Sequence, residues 1–194
     1  LNVNFNDSFD KLIYSLLLRY NILSSNNNQL AVSNEKMIFL KKKYNLTFES
    51  FGSFINNSSE YFCSIYPDLE QYFGSFGNFF NTIFKKGCFN FNPPFQEDII
   101  NEGLEKILKD LNNTDEELTF IITIPVWDKE GKKKLGIEDE YSDLPIINKL
   151  RTSKYLKEMK IFKKEEFDYQ DYLYNLIKNV TIQNTYYIIL SNKI

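Results

Sequence analysis

Two consecutive prolines within Cys88-Phe89-Asn90-Phe91-Asn92-Pro93-Pro94-Phe95 constrain this chain more than any other feature. An apolar run enters them and an amphipathic helical pattern leaves them, so a buried strand ends there and the backbone turns. Each proline fixes φ and removes an N–H, and Pro93 pushes Asn92 out of the α region towards an extended conformation. The product is a stiff corner with an amide at its start, exposed backbone carbonyls and an aromatic ring at its end. Such a corner suits a flat base bearing an exocyclic NH2. The amide oxygen and a carbonyl accept its two hydrogens, and the ring stacks on its face. An ordinary strand-to-helix turn is the competing reading, because Pro-Pro marks loops in many proteins.

The pattern around the corner predicts the fold class. After it, Ile99, Ile100, Leu104, Ile107, Leu108 and Leu111 keep the three-four spacing of a helix packed on a sheet, ended by Asn112-Asn113. Leu118 to Pro125 is a nearly continuous apolar run, as in a parallel strand buried on both faces. Thr47 to Phe51 alternates like a strand until Gly52-Ser53 breaks it, and Tyr186 to Leu190 reads as a final core strand. Upstream, Asp7 or Ser8 is placed to cap a helix over Asp10 to Tyr20. The polar run Ser24 to Gln29 reads as a loop, and a second helix follows Ser33 and ends near Lys41-Lys42-Lys43. The segment Tyr61 to Tyr66 reads as helical, Asp68 to Phe80 is too rich in glycine and aromatics for a regular helix, and 128–143 reads as a charged loop. Alternating strand and helix patterns predict an α/β sandwich around a central, mostly parallel sheet. The expected organisation is a single domain over 1–194, with a helical part at 1–45 and an α/β core at 46–194.

Composition narrows the chemistry. The 194 residues contain no histidine, which excludes His-based triads, His general bases and zinc sites built with His. Cys63 and Cys88 form no CxxC pair, so no metal site is expected. The net charge of −3 argues against a domain that coats nucleic acid non-specifically, while leaving room for a local basic groove. No apolar stretch is long enough to span a membrane and the first residues are polar, so an intracellular protein is expected, in nucleus or cytoplasm.

The order of short blocks is more specific than any one of them. Lys43-Tyr44-Asn45-Leu46-Thr47-Phe48-Glu49-Ser50-Phe51, Tyr66-Pro67-Asp68, Tyr72-Phe73-Gly74-Ser75, Asn92-Pro93-Pro94-Phe95, Ile124-Pro125-Val126-Trp127, Lys163-Lys164-Glu165-Glu166 and Asn184-Thr185 follow one another along the chain. Together they resemble the catalytic domain of the phosphorylated-CTD-interacting factor family, over roughly residues 10 to 192. The resemblance implies a Rossmann-like methyltransferase fold and S-adenosylmethionine as methyl donor. It implies N6 of the cap-adjacent 2′-O-methyladenosine of capped mRNA as target. Uncapped RNA or DNA adenine is an alternative substrate, and a non-catalytic RNA-binding subunit with this fold is an alternative role. No WW pattern is visible in the sequence, so polymerase-tail binding is not expected.

Roles follow from chemistry and resemblance together. Asn92, Pro93, Pro94 and Phe95 form the expected catalytic corner, with Phe95 stacking on the base. Phe51, Gly52, Ser53 and Asn56 stand where many methyltransferases carry a Gly-x-Gly donor loop, and a structural turn is the other reading. Asp68 or Glu70 is the expected acid for the donor's ribose hydroxyls, with a solvated loop acid as the other reading. Gly74, Ser75, Phe76 and Gly77 are candidates to wall the same pocket, with aromatic core packing as the competing account. Substrate contacts are expected from Lys163, Lys164, Glu165 and Glu166 and from Trp127, for which stacking on the cap guanine or target base competes with a place in the core. The segment 129–164, with eleven Lys or Arg against six Asp or Glu, offers Lys132-Lys133-Lys134, Arg151 and Lys154 as phosphate contacts.

Overall fold

A computed structural model describes residues 5–23, 29–126, 144–172 and 178–193. Its framework is a six-stranded sheet built from β2 (Phe48–Glu49), β3 (Tyr61–Phe62), β4 (Gly87–Phe91), β5 (Leu118–Pro125), β6 (Leu156–Phe162) and β9 (Thr185–Ser191). The spatial order is β3-β2-β4-β5-β9-β6. Parallel pairings join β3, β2, β4 and β5, whereas β9 runs antiparallel to both β5 and β6. Five strands thus point one way, with one reversed strand inserted next to the edge. A mixed α/β architecture with a mostly parallel sheet is compatible with a Rossmann-like fold. A second, antiparallel sheet joins β1 (Leu30–Val32), β7 (Tyr169–Asp171) and β8 (Lys178–Val180).

Helices cover both faces of the large sheet. On one side α4 (Glu97–Asn112) and α5 (Pro145–Arg151) bury Ile100, Leu104, Ile107, Leu111, Ile146, Ile147 and Leu150 against Phe91, Phe120, Ile122 and Ile124. Gly103 makes this possible: a Cβ there would stand 2.5 Å from Cζ of Phe91, so only glycine lets β4 tuck under α4. On the other side α2 (Asn34–Tyr44) sets Met37 and Leu40 against Cys88 and Ile121. Ile121 and Ile122 therefore face opposite cores from neighbouring positions, which is why β5 reads as an unbroken apolar run. Truncating a fully buried residue such as Leu104 to alanine costs about 2–5 kcal/mol. No helix among the described residues is long and apolar enough to cross a membrane.

Three local expectations are corrected. The first helix, α1 (Phe5–Leu23), begins before Asp7 and Ser8, so neither caps it. Tyr61–Phe62 is a strand, because its backbone finds a partner in β2 through the pairs Phe48–Tyr61 and Glu49–Phe62, a long-range contact that local periodicity does not reveal. The stretch 1–45 holds β1 between α1 and α2, paired with β7 some 140 residues later through Leu30–Asp171. The charged segment 128–143 lies outside the described residues.

Candidate functional site

Chain order reverses at β2. The next strand, β3, lies on one side of it, and β4 lies on the other. In an open α/β sheet, a crevice forms outside the carboxyl ends of the strands at such a switch point. Beyond β2 the chain stays tied to both neighbours: Ser50 N donates to Asn90 O at 2.8 Å and Gly52 N donates to Cys63 O at 2.8 Å. The loop that follows then faces the loop after β4. Phe51, Gly52, Ser53 and Asn56 from the first line one cleft with Asn92, Pro93, Pro94 and Phe95 from the second. Gln29, Leu30 at the start of β1, and Ile65 complete the lining. The free volume of the cleft is about 30 Å³, more than the roughly 10–15 Å³ that one water needs.

Asn92 is held at both ends of its amide. Nδ2 donates to the carbonyl of Leu30 at 3.2 Å, and Oδ1 accepts from the Thr123 hydroxyl at 3.3 Å. That pair of contacts sets which way the amide points and leaves the oxygen one lone pair. Phe95 is half-buried, its ring meeting that of Tyr169 edge to face at 5.7 Å. The carbonyl of Pro94 accepts from Gln96 N at 2.7 Å, which starts α4 directly after the corner. Thr123 is the lone hydroxyl deep inside the apolar run of β5, a signal the sequence carries. Gln29 and Leu30 have no comparable signal.

Ser53 and Asn56 line the cleft and bond to one another. Ser53 N donates to Oδ1 of Asn56 at 2.8 Å, Asn56 N donates to Oγ of Ser53 at 3.2 Å, and Ser53 Oγ donates to Oε1 of Gln29 at 2.7 Å. These reciprocal bonds shape the loop.

The two acids beyond β3 part company. Asp68 pairs with Arg19 of α1 at 2.7 Å on the surface and does not line the cleft; the guanidinium holds its carboxyl below the usual range. Glu70, at the end of α3 (Pro67–Glu70), is fully buried, and its Oε1 accepts from the Tyr20 hydroxyl and from Phe54 N at 2.8 Å. Its Oε2 has no hydrogen-bond partner among the described residues, since the nearby Ser64 hydroxyl pairs with Ser75 at 2.8 Å. Burial raises the Glu70 carboxyl above its ordinary value, and raises the Tyr20 phenol as well. Glu49 on β2 is, like Glu70, a buried acid, unsignalled by the sequence. Its Oε1 accepts from Ser58 N and Ser59 N, both at 2.8 Å, and burial again raises its pKa against those bonds.

Other expected site residues lie elsewhere. Ser75 and Gly74 follow a 3-10 turn at the sheet edge, where Ser75 bridges to Phe62, and neither they nor Phe76 and Gly77 line the cleft. Lys163, Lys164, Glu165 and Glu166 form an exposed turn after β6, in which Glu166 accepts from Lys163 N at 2.8 Å and Lys164 N donates to Asn184 at 3.0 Å. Trp127 and Lys132-Lys133-Lys134 lie outside the described residues.

Comparison with known proteins gives this geometry a family. The mouse protein named mRNA (2'-O-methyladenosine-N(6)-)-methyltransferase is 35% identical over 88 residues, which is 45% of this chain and 12% of the mouse protein. Its human counterpart of the same name is 34% identical over 88 residues, with the same shares of each chain. The aligned stretch is thus a small part of either relative. A family model described as the phosphorylated CTD interacting factor 1 WW domain matches residues 2–172. This match corrects the expectation of no WW domain and no polymerase-tail binding, which rested only on the lack of a visible WW pattern. Because the match spans most of its length, the chain belongs to the phosphorylated CTD interacting factor 1 WW domain family.

Proposed function

We propose that this chain carries the methyl-transfer site of an adenosine-N6 methyltransferase acting on the cap-adjacent 2′-O-methyladenosine of mRNA. The observation that carries the reading is the cleft itself, where the loop after β2 and the Asn92–Phe95 corner meet at the switch point of the sheet. The two mammalian relatives bear names for that activity.

The amine of adenine is a poor nucleophile because its lone pair is delocalised into the ring. Asn92 Oδ1 has one lone pair left to accept an amine hydrogen, and the carbonyl of Pro93 is the acceptor for the other. Together they favour a pyramidal nitrogen whose lone pair points away from both acceptors. Phe95 stacks on the base and Thr123 keeps the Asn92 oxygen turned towards it. The nitrogen loses its proton after becoming cationic, so no strong base is needed and a chain without histidine is suited to the step.

S-adenosylmethionine, when bound, supplies the methyl electrophile. The residues present that would hold it are those of the loop Phe51–Asn56, of which Phe51, Gly52, Ser53 and Asn56 line the cleft. A space of about 30 Å³ is too small for such a molecule, so binding requires the cleft to widen. Titration of the purified chain with S-adenosylmethionine by calorimetry tests this. A folded chain that takes up none favours a non-catalytic RNA-binding role.

The deciding experiment is transfer of labelled methyl to capped RNAs that differ only in their first nucleotide. Label on RNA starting with adenosine and none on RNA starting with guanosine is the expected result. Equal labelling with and without a cap moves the substrate to adenine in general. The family description adds a second property, binding of phosphorylated CTD, which anisotropy with a phosphoserine-proline peptide measures.

A further inference from the structure

A second cavity, of about 230 Å³, lies where α2 stops short of the sheet edge. Met37 and Leu40 of α2 are spent on Cys88 and Ile121 near the middle of the sheet, so the same face of β9 and β6 is left open. Glu158, Lys160 and Phe162 are two residues apart on the edge strand β6 and share that face, with Tyr187 of β9 paired beside Lys160. Opposite them, α2 presents Lys36, Phe39 and Lys43 at helical spacing.

The chemistry of this groove is aromatic and cationic. Lys43 Nζ lies 4.8 Å from the ring centre of Tyr44 and 5.5 Å from that of Phe39, and Phe39 is 57% exposed. Lys36 sits 5.1 Å over Phe167 and is held by Asp168, while Lys160 pairs with Glu158 at 2.5 Å. Flat walls, ammonium groups and one carboxylate match the parts of a nucleotide. A base stacks on the rings, its phosphate meets the lysines, and a base N–H finds the carboxylate.

The groove is also joined to the Asn92–Phe95 corner. Phe95 meets Tyr169 at 5.7 Å, Tyr169 meets Phe167 at 5.2 Å, Phe167 meets Phe162 at 5.7 Å, and Phe162 meets Tyr187 at 6.0 Å. One continuous wall of rings therefore backs both places. The exposed turn Lys163–Glu166 connects Phe162 to Phe167, both of which line the groove.

We propose that this groove is a nucleotide-binding site that holds a residue flanking the target adenosine on the same RNA strand. The link to a target adenosine rests on the methyl-transfer reading of the corner, but RNA binding in the groove is measured without it. The test uses the full chain and a fluorescent five-residue oligoadenylate, read by anisotropy. Phe39→Ala with Lys43→Ala changes two exposed helix positions, and thermal melting checks that the variant folds. Affinity should weaken by about tenfold or more, the worth of one stacked base. Lys149→Ala, on the opposite face, should stay within about twofold of the parent, because one exposed lysine off the strand's track releases no counterion. The KM for RNA in the transfer assay should rise with the first variant.

Binding by the double variant within about twofold of the parent overturns the proposal, as does a parent chain that binds no oligoadenylate. A phosphoserine-proline peptide that displaces the RNA at lower concentration also overturns it and assigns the groove to a protein ligand. Asn92-dependent transfer with unchanged RNA binding removes the groove and keeps the methyl-transfer reading. Absent transfer with the binding loss intact does the reverse.

Discussion

The Asn92–Phe95 corner and the segment Asp68–Ser75 both read as parts of one site, and the fold treats them oppositely. The corner leaves the end of β4, a strand paired on both sides, and it reaches the cleft by default. The segment lies beyond β3 at the edge of the sheet, and its side chains are claimed by other partners: Asp68 by Arg19 and Glu70 by Tyr20, both far back in the chain, and Ser75 by the nearer Ser64. A strand in the centre of a sheet dictates where the next few residues point. A segment past the edge takes its orientation from whatever packs over it.

The comparison breaks most sharply at Asn92. If the corner binds the amine, Asn92→Ala lowers kcat for methyl transfer by about 10²–10³-fold, the scale for removing one preorganised polar contact to a reacting group. The same change strands the Thr123 hydroxyl and the Leu30 carbonyl, so urea unfolding should register a loss of about 1–3 kcal/mol. Thr123→Val separates the two effects. It leaves Asn92 in place but frees its oxygen, and transfer should fall by up to about tenfold, the worth of one neutral hydrogen bond. Full activity in Asn92→Ala would end the assignment.

How far the site was legible follows the same divide. The β4 corner, the α4 stripe and the β5 run are signalled by neighbours a few residues apart, and those elements appear where the sequence puts them. Loop Phe51–Asn56 was legible as a break after a strand, but not the way Ser53 and Asn56 satisfy each other and Gln29. The different surroundings of Asp68 and Glu70 were not legible at all. Both acids stand in one short helix, and their fates depend on Arg19 and Tyr20, about fifty positions earlier. The small antiparallel sheet was missed for a related reason, since β1 is three residues long and its partner is β7.

Glu70 turns the edge segment into a stability question. Glu70→Ala removes the acceptor shared by the Tyr20 hydroxyl and Phe54 N, and should cost about 2–4 kcal/mol in urea unfolding. Glu70→Gln keeps an acceptor and removes the titration. The folded carboxyl has a raised pKa, with an ordinary value of 4.5. Above 4.5 and up to the raised value, the folded chain holds a proton that the unfolded chain has lost. Stability therefore declines as pH rises through that window. Glu49 acts with the same sign. The glutamine variant should show a shallower decline, and an unchanged slope would mean that Glu70 is ionised in the folded chain throughout.

Asp68 supplies the smallest effect and the cleanest control on the edge segment. Its carboxylate and the Arg19 guanidinium are both substantially open to solvent, where water already solvates each charge well. Asp68→Asn keeps the size of the side chain and removes only the charge. Urea unfolding should shift by less than about 1 kcal/mol, and by less again at high salt, because exposed ion pairs are screened. Methyl transfer and donor affinity should stay within about twofold of the parent, since this contact is made outside the cleft and contributes at most that exposed-pair energy. A large loss of donor affinity in this variant would assign the ribose-binding role to Asp68. It would also require α1 to release Arg19 when the donor binds, so that the edge segment, like the corner, faces the cleft in the working state.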